Sequence, residues 1–299
     1  MTETPEINTE LAAKLVASQF PKWQNLPITP VTPGGHDNRT FHLGEEMSIR
    51  MPSSASYAVN VEKEQHWLPK LESHLPLAIP KPVAMGKPGS GYPWRWSIYR
   101  WLEGKPASTA RISSLSDFAL KLGGFLKALH RIDASEGPAP GKHNFYRGGS
   151  LEVYDPQTRQ AISDLGDKID GSLATEAWEF ALSSKWEGAP VWIHGDISSG
   201  NLLVQDGELA AIIDFGQACT GDPACDLAIV WSFFDQDSRE AFRSMLPLDP
   251  GTWARGRAWA LWKFLIVASG ATKWDAPEGK DPWRVINAVL EEHQEERSV

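Results

Sequence analysis

The chain has 299 residues, of which 38 are acidic and 29 basic, so its formal charge is −9 at pH 7. A composition of 41% hydrophobic and 22% charged residues excludes disordered and fibrous classes. The acidic balance argues against non-specific binding to nucleic acid, which needs an excess of Lys and Arg. With two cysteines and no apolar stretch of bilayer length, we expect a cytoplasmic protein without a membrane partner.

The first hundred residues contain short apolar and aromatic runs between turn residues, a pattern that predicts β-strands. The expected strands are 27–32, 40–43, 47–51 and 93–102. One helix is expected over 59–73, because Val61, Leu68 and Leu71 are spaced to form one buried face. Pro69 predicts a kink or break within that helix.

After a Gly-Lys-Pro break at 104–106 the pattern becomes helical. Helices are expected at 115–132, in two parts of 151–182 separated near 166–171, and at 226–234, 252–269 and 282–293. Two short apolar runs, 191–193 and 209–213, predict further strands. We therefore predict an α+β fold: a small β-sheet lobe with one helix over 1–102, a hinge near 99–105 and a larger helical lobe over 106–299.

Three acceptor side chains follow these two later strands in turn: Asp196, then Asn201 five residues on, then Asp214 thirteen residues later. A tight loop between such strands can direct Asp196 and Asn201 into one cleft, and Asp214 arrives on the second strand. Oxygen ligands of this kind suit Mg²⁺, which takes further ligands from phosphate groups. Asp and Asn are also common turn and cap residues, which is the structural alternative.

The whole segment, His194 to Asn201 followed by Asp214-Phe215-Gly216, resembles the kinase catalytic segment. With Gly195 in its middle position, it resembles the aminoglycoside phosphotransferase family and its macrolide phosphotransferase relatives. The resemblance implies a protein-kinase-like two-lobed fold. It also implies that Asp196 orients or deprotonates the acceptor hydroxyl, and that Asn201 and Asp214 hold Mg²⁺ against the phosphates of ATP or GTP.

Two supporting residues follow from the same resemblance. His194 is expected to brace the catalytic loop rather than act on substrate. The Asp-Pro-x-x-Asp-Leu-Ala segment over 222–228 resembles a segment of small-molecule kinases. There the second aspartate, here Asp226, opens a helix and anchors the catalytic loop by accepting backbone N–H bonds. A simple helix cap is the alternative for Asp226, and both roles can hold.

The nucleotide side departs from familiar motifs, since the sequence contains no P-loop spacing. The turn that holds Gly34, Gly35, His36 and Asn38 sits where the family has a phosphate-covering hairpin, and an ordinary hairpin turn remains the alternative. Arg50 stands where kinases place a lysine, and it can bind phosphate as a bidentate donor.

The helix partner of Arg50 is expected to be Glu64, with Glu62 as the competing choice. Tyr99, Trp101 and Leu102 resemble the hinge strand, whose backbone binds the purine, so these side chains do not distinguish ATP from GTP.

The acceptor region of related enzymes corresponds to residues 150–187, which hold eight acidic and three basic residues. This balance favours a cationic acceptor, and solvated helix faces are the alternative. No long activation segment follows Asp214-Phe215-Gly216, which favours a small molecule over a polypeptide. Most of the 14 tryptophans, Trp274 among them, are expected to pack in the interior, and a few near the acceptor could stack on an apolar or sugar face.

The leading hypothesis is a phosphotransferase with an alcohol group as acceptor. It would transfer the γ-phosphate of ATP or GTP to an aminoglycoside- or macrolide-like molecule, with antibiotic inactivation as one role. A metabolic kinase of the same fold, acting on choline, homoserine or a glycated amine, is the second hypothesis. A nucleotide-binding pseudokinase that regulates a partner is the third.

Overall fold

The computed structural model contains two compact units. It describes residues 6–32, 34–35, 37–273 and 277–297, so that His36 and Trp274 lie outside the described residues. The first unit holds the described residues up to Glu103 together with Ile212–Gly216; the second holds Gly104–Ala211 and the described residues from Gln217 onward. The boundary after Glu103 falls within the expected hinge range.

Residues 212–216 group with the first unit, although the sequence places them in the lobe over 106–299. Local hydrogen bonding explains the difference. The Ile212 N–H donates to the carbonyl oxygen of Ala78 at 3.0 Å, and Asp214 bonds with Arg50. Both partners belong to the first unit.

An antiparallel five-stranded sheet, in the order β1-β2-β3-β5-β4, forms the centre of the first unit. Its strands are β1 (Ile28–Pro30), β2 (Asn38–Leu43), β3 (Met47–Pro52), β4 (Pro82–Gly86) and β5 (Trp96–Arg100). Two helices accompany it, α1 (Thr9–Gln19) and α2 (Ala55–Glu72). The turn between β2 and β3 contains Gly44 at φ +65°, a left-handed conformation that favours glycine.

The core of the first unit joins α1 to one face of the sheet. Ala12, Leu15 and Val16 of α1 pack in one cluster with apolar residues of β2, β3 and β5, among them the fully buried Trp96. Gly86 permits this packing, because a Cβ atom there would come within 2.0 Å of the Trp96 ring. Burial of a side chain of this size stabilises the fold by about 2–3 kcal/mol.

The helices of the first unit differ from the sequence prediction in two respects. The expected break at Pro69 is absent, since α2 runs on to Glu72. Proline removes only one backbone hydrogen bond here, and it lies close to the helix end, where few bonds depend on it. Helix α1 was not predicted, although the Asn8 side chain caps it by accepting from the Leu11 N–H at 3.0 Å.

The second unit has two small groups of strands. The first is a sheet in the order β6-β8-β9, formed by β6 (Lys105–Pro106), β8 (Leu202–Gln205) and β9 (Glu208–Ile212), of which Ile212 groups with the first unit. The second is an antiparallel pair, β7 (Val191–Ile193) with β10 (Cys219–Gly221), in which Ile193 lies opposite Cys219.

Helices are the main regular structure of the second unit. They are α3 (Leu115–Leu129), α4 (Asp155–Leu165), α5 (Gly171–Ser183), α6 (Ile229–Ser232), α7 (Gln236–Met245), α8 (Pro250–Ala268) and α9 (Pro282–Arg297). Helix α8 is buried along most of its length and packs against α4, α5 and α9. None of the helices in the described part of the chain combines the length and apolar character that crossing a membrane requires.

Two helical segments of the second unit differ from the prediction. The helix expected over 226–234 is a 3₁₀ segment, Pro223–Ala228, followed by the short α6. Helix α7 was missed because its sequence is mostly polar, and its buried positions are only Ser238 and Phe242.

Candidate functional site

The predicted catalytic loop, residues 194–201, connects β7 to β8 in the second unit. Asn201 folds the loop back onto Asp196: its side-chain Nδ2 donates to the Asp196 carbonyl oxygen at 2.9 Å and to Asp196 Oδ2 at 3.0 Å. The Asn201 N–H also donates to the Ser198 carbonyl oxygen at 2.9 Å. Both side-chain amide hydrogens of Asn201 are thus donated within the loop, so its side-chain oxygen, Oδ1, is the atom suited to bind a cation.

Asp226 lies directly beneath this loop and is fully buried. Its two carboxylate oxygens accept from the backbone N–H groups of His194 at 2.7 Å and Gly195 at 2.8 Å. Burial raises the pKa of Asp226, against the lowering effect of His194 and of the two N–H donors. His194 is also fully buried, and its Nδ1 accepts from the Asp196 N–H at 3.2 Å. These contacts hold the backbone on the N-terminal side of Asp196.

Gly195 adopts φ +83°, and a Cβ atom there would lie 2.7 Å from the Gln217 carbonyl oxygen. Glycine is therefore required by both backbone conformation and space. The same carbonyl oxygen accepts from Asn144 Nδ2 at 3.3 Å. Sequence reasoning missed Asn144, because nothing in the local pattern around it indicates a partner 73 residues away.

The first unit contains an ion cluster around Arg50, which is 17% exposed. Arg50 Nη2 lies 3.1 Å from Asp214 Oδ1, and Nη1 lies 3.7 Å from Glu64 Oε1. The hydroxyl of Tyr99 donates to Glu64 Oε2. Glu62, the competing partner, instead pairs with Arg95 at 2.5 Å on the exposed side.

Charge and burial act in opposite directions on these groups. Burial disfavours the charged guanidinium of Arg50, but Glu64, Asp214 and Tyr99 outweigh it and raise the Arg50 pKa above its ordinary value. Burial, followed by the charge of Glu64, raises the pKa of Tyr99 well above its ordinary value. Arg50 therefore keeps its positive charge, and Tyr99 its proton, at every physiological pH.

The Asp214-Phe215-Gly216 segment is held in place by the same helix that carries Glu64. Lys63 Nζ donates to the Gly216 carbonyl oxygen, a contact that sequence reasoning did not identify. Asp214 adopts φ +67°, a left-handed conformation that costs a non-glycine residue about 1–2 kcal/mol. Strain of this kind concentrates at functional sites.

The glycine turn connects β1 to β2. Arg39 Nη1 donates to the Gly35 carbonyl oxygen at 2.8 Å, and Asn38 begins β2 opposite Pro52. A Cβ atom at Gly34 would meet only the Val31 carbonyl oxygen, at 3.8 Å. Space therefore does not require glycine at position 34.

The three residues predicted for the hinge strand, Tyr99, Trp101 and Leu102, differ in the partners of their backbone groups. Tyr99 lies in β5, between β3 and the edge strand β4, and is opposite both Ser48 and Pro82, so its backbone belongs to the sheet. The Trp101 N–H donates to the Glu46 carbonyl oxygen at 2.8 Å. Within the described ranges, the backbone N–H and C=O of Leu102 have no hydrogen-bond partner in the protein, which leaves them available to a ligand.

The predicted Mg²⁺ ligands belong to different units, Asp214 to the first and Asn201 to the second. Among the described residues, no group of three or more His, Cys, Asp or Glu side chains could hold a metal by itself. A carboxylate and an amide oxygen are nevertheless hard donors of the type that Mg²⁺ takes beside nucleotide phosphates, and the Asp214 side chain is 35% exposed. Taken each within its own unit, Asp214 and Asn201 offer donor types that suit Mg²⁺.

Most acidic residues over 150–187 are engaged within the protein. Asp155 accepts from Arg159 Nε and Trp178 Nε1, both at 2.8 Å. Glu179 pairs with Arg159, Glu176 pairs with Arg297, and Asp170 caps α5. Arg159 and Arg297 thus offset part of the negative charge that favoured a cationic acceptor.

A cavity of about 630 Å³ lies in the second unit at the end of the β7–β10 pair that is remote from the catalytic loop. Its lining includes Leu151, Trp186 and the buried ion pair of Asp222 with Arg255. Arg255 Nε lies 2.6 Å from Asp222 Oδ2, and burial raises the pKa of Asp222 despite this partner.

Solved structures of two enzyme groups share this fold. The GDP complex of a variant of aminoglycoside 2'-phosphotransferase-IIIa has a TM-score of 0.68 and 19% identity, and the match covers 97% of this chain and 98% of that one. The apoenzyme of macrolide 2'-phosphotransferase MphH from Brachybacterium faecium has a TM-score of 0.58 and 21% identity, covering 94% and 98%. The predicted α+β, kinase-like fold is confirmed.

Two curated proteins are similar in sequence. The uncharacterized protein YcbJ of Bacillus subtilis (strain 168) is 26% identical over 203 residues, which covers 64% of this chain and 60% of YcbJ. An aminoglycoside 3'-phosphotransferase of Escherichia coli is 30% identical over 155 residues, covering 47% of this chain and 53% of that enzyme. Both matches span less than two thirds of the relative's length.

The family model tests the resemblance over a longer stretch. It matches residues 28–259, which extend from β1 into α8 and include the Arg50 cluster, the catalytic loop and Asp226. The predicted family is confirmed by a match of this extent, and the chain belongs to the phosphotransferase enzyme family.

Proposed function

We propose that the protein transfers the γ-phosphate of ATP or GTP to a hydroxyl group of an aminoglycoside- or macrolide-like small molecule. The observation that carries the proposal is the catalytic loop. Asn201 holds Asp196 from one side, and Asp226 fixes the preceding backbone through two N–H groups. Phosphoryl transfer depends mainly on such positioning and on charge neutralisation.

Each group has a distinct role in this proposal. Asp196 orients the acceptor hydroxyl and takes its proton, while Arg50, fixed by Glu64, binds the nucleotide phosphates. Asn201 and Asp214 hold Mg²⁺, which when bound neutralises charge on the phosphates. The backbone of Leu102 binds the purine, which explains why its polar groups lack a partner among the described residues.

No side chain in the hinge distinguishes ATP from GTP, so the proposal includes both nucleotides as phosphate donors. The relatives whose structures contain GDP favour testing GTP beside ATP. A cytoplasmic location is also proposed, because both cysteines, Cys219 and Cys225, are buried as thiols and not joined in a disulfide. If the acceptor is an antibiotic, the proposed role of the protein is to inactivate it by phosphorylation.

The test is a screen for ADP and GDP release with aminoglycosides, macrolides, choline and homoserine as acceptors, with phosphorylated product identified by mass. Asp196→Asn should abolish transfer. Asp206→Asn, the same change in the exposed β8–β9 turn, should leave it intact. Transfer to choline or homoserine alone would assign the protein to metabolic kinases. Nucleotide binding without transfer to any acceptor would contradict the proposal and favour a regulatory role.

A further inference from the structure

A surface formed by Phe145, Tyr146, Arg147, Val153 and Tyr154, here called the aromatic surface, lies beside the catalytic loop. Cys219 Sγ donates to the Arg147 carbonyl oxygen at 3.1 Å. In the β7–β10 pair, Cys219 lies opposite Ile193, the residue that precedes the catalytic loop. The contact of Asn144 with the Gln217 carbonyl oxygen attaches the same segment at a second point, next to Gly195.

Helix α8 supports the aromatic surface from below. The Arg147 guanidinium lies 4.9 Å from the ring centre of Trp259 and 5.1 Å from that of Trp262. The Tyr154 ring is 3.9 Å from the Trp262 ring, and the Tyr154 hydroxyl donates to the Phe145 carbonyl oxygen at 2.6 Å. These contacts hold the arginine and the aromatic rings in one fixed arrangement.

The outer part of this surface is apolar and its backbone is strained. Phe145 is 47% exposed and Val153 is 46% exposed, values unusual for side chains of their size. Phe145 and Tyr146 adopt φ +53° and +54°, so two consecutive aromatic residues have the left-handed conformation that a Cβ atom disfavours. Such strain persists where the surrounding structure requires it, and it concentrates at ligand sites.

The charge of this segment does not favour a polycation. Residues 141–155 contain the bases Lys142 and Arg147 and the acids Glu152 and Asp155, and Asp155 is already paired with Arg159 at 2.8 Å. The aromatic surface itself carries one charge, the positive guanidinium of Arg147. A ligand with several ammonium groups would lose hydration and find a single unpaired carboxylate in this segment, that of the exposed Glu152.

We propose that the acceptor binds through an apolar or sugar face on the aromatic surface, and that it is an amphiphilic glycoside with at most one positive charge. This inference rests on the proposed phosphotransferase function and specifies its substrate class. Aromatic side chains bind sugar and hydrocarbon faces through dispersion and burial of apolar area. Because screening by salt does not weaken this attraction, affinity for such an acceptor should not fall as salt is raised.

The experiment compares erythromycin, a glycoside with one amine, with kanamycin, a polycation, at 0.05 and 0.5 M NaCl. We expect transfer to erythromycin with a KM that is unchanged or lower in high salt. Phe145→Asn should raise the erythromycin KM about tenfold, a typical loss for one apolar contact, with the nucleotide KM unchanged. Asparagine tolerates the left-handed backbone. Leu120→Asn is the control, since Leu120 is 37% exposed on α3, outside both residues 150–187 and the aromatic surface.

The outcomes separate this inference from the function on which it rests. Transfer to kanamycin but not to erythromycin, with a kanamycin KM that rises in salt and ignores Phe145→Asn, would overturn the amphiphilic acceptor while supporting phosphotransferase activity. Absence of transfer to every acceptor in the wider screen would overturn both. Direct calorimetric titration of erythromycin into the two variants checks that the KM change reflects binding.

Discussion

Arg50 and Asp214 are separated by 164 residues in sequence, yet Arg50 Nη2 lies 3.1 Å from Asp214 Oδ1 in the first unit. Glu64 approaches the other guanidinium nitrogen at 3.7 Å. The arginine thus connects the helix α2 to the segment proposed to hold Mg²⁺. An arginine suits this position, because its planar group can contact two carboxylates at once, whereas a lysine presents a single point charge.

Removal of the Arg50 side chain is expected to affect both nucleotide affinity and folding. Arg50→Ala would leave Glu64 buried without its cation, so we expect a loss of about 3–5 kcal/mol in the free energy of unfolding. The Kd for nucleotide should rise about tenfold or more, as phosphate loses a charged partner. Arg95→Ala is the control: Arg95 is 41% exposed and pairs with Glu62 on the same helix, and an exposed pair contributes less than about 1 kcal/mol. Equal effects of the two changes would contradict the role given to Arg50.

Asp214→Asn should weaken the binding of Mg²⁺–nucleotide but not that of the nucleotide alone. Asparagine tolerates the left-handed backbone at this position, so the fold should survive. The Kd for Mg²⁺–nucleotide should rise about tenfold, as one charged ligand is lost. The Kd for metal-free nucleotide should stay the same or fall, because Arg50 would no longer share its charge with Asp214. Calorimetry with Mg²⁺ and with EDTA measures both values, and equal loss under the two conditions would exclude Asp214 as a metal ligand.

Asp226→Asn tests whether the loop needs a carboxylate beneath it. An amide can accept from only one of the two N–H groups and turns a donor toward the other, so we expect a loss of about 1–3 kcal/mol in stability. Turnover should fall about tenfold or more, because Asp196 would be misplaced. Asp235→Asn makes the same change at the N-cap of α7. Asparagine caps helices as well as aspartate does, so turnover should be unchanged there.

The partial burial of His130 predicts a pH dependence of stability. Burial lowers the pKa of His130 to about 4, below its value of about 6.5 in an unfolded chain. The unfolded state therefore binds the proton more readily, and stability is present above pH 6.5 and lost as the pH falls toward 4. The loss amounts to roughly 3 kcal/mol at the lower limit.

Urea unfolding at several pH values between 4.5 and 7.5 measures this effect. His130→Gln should flatten the dependence on pH, whereas His74→Gln, at an exposed position, should leave it unchanged. A wild-type stability that is constant over this range would contradict the assignment.

The sequence was most informative where a family motif fixes the identity of side chains. The spacing of Asp196, Asn201 and Asp214 led to the family, because catalytic segments need fixed residue types at fixed intervals. The long amphipathic α3 was also predictable, since its apolar positions repeat at helical spacing. The division between the two compact units, after Glu103, lies directly before the Gly-Lys-Pro break.

Long-range contacts with main-chain oxygens could not be predicted from the sequence, for a physical reason. The bond of Asn144 to the Gln217 carbonyl oxygen and that of Lys63 to the Gly216 carbonyl oxygen involve main-chain acceptors, which every residue possesses. No residue type at the acceptor position signals such a bond. The acids over 150–187 show a related limit: the sequence includes Arg159 and Arg297 but does not indicate that Arg159 pairs with both Asp155 and Glu179, or that Arg297 pairs with Glu176.

The grouping of 212–216 with the first unit has a consequence for recombination among relatives. The chain leaves the first unit after Glu103 and returns to it at Ile212, with residues 104–211 of the second unit between the two. A chimera made with a single crossover near position 103 would combine Arg50 from one parent with Asp214 from another. An exchange that preserves their contact must transfer the five residues Ile212–Gly216 with the N-terminal segment.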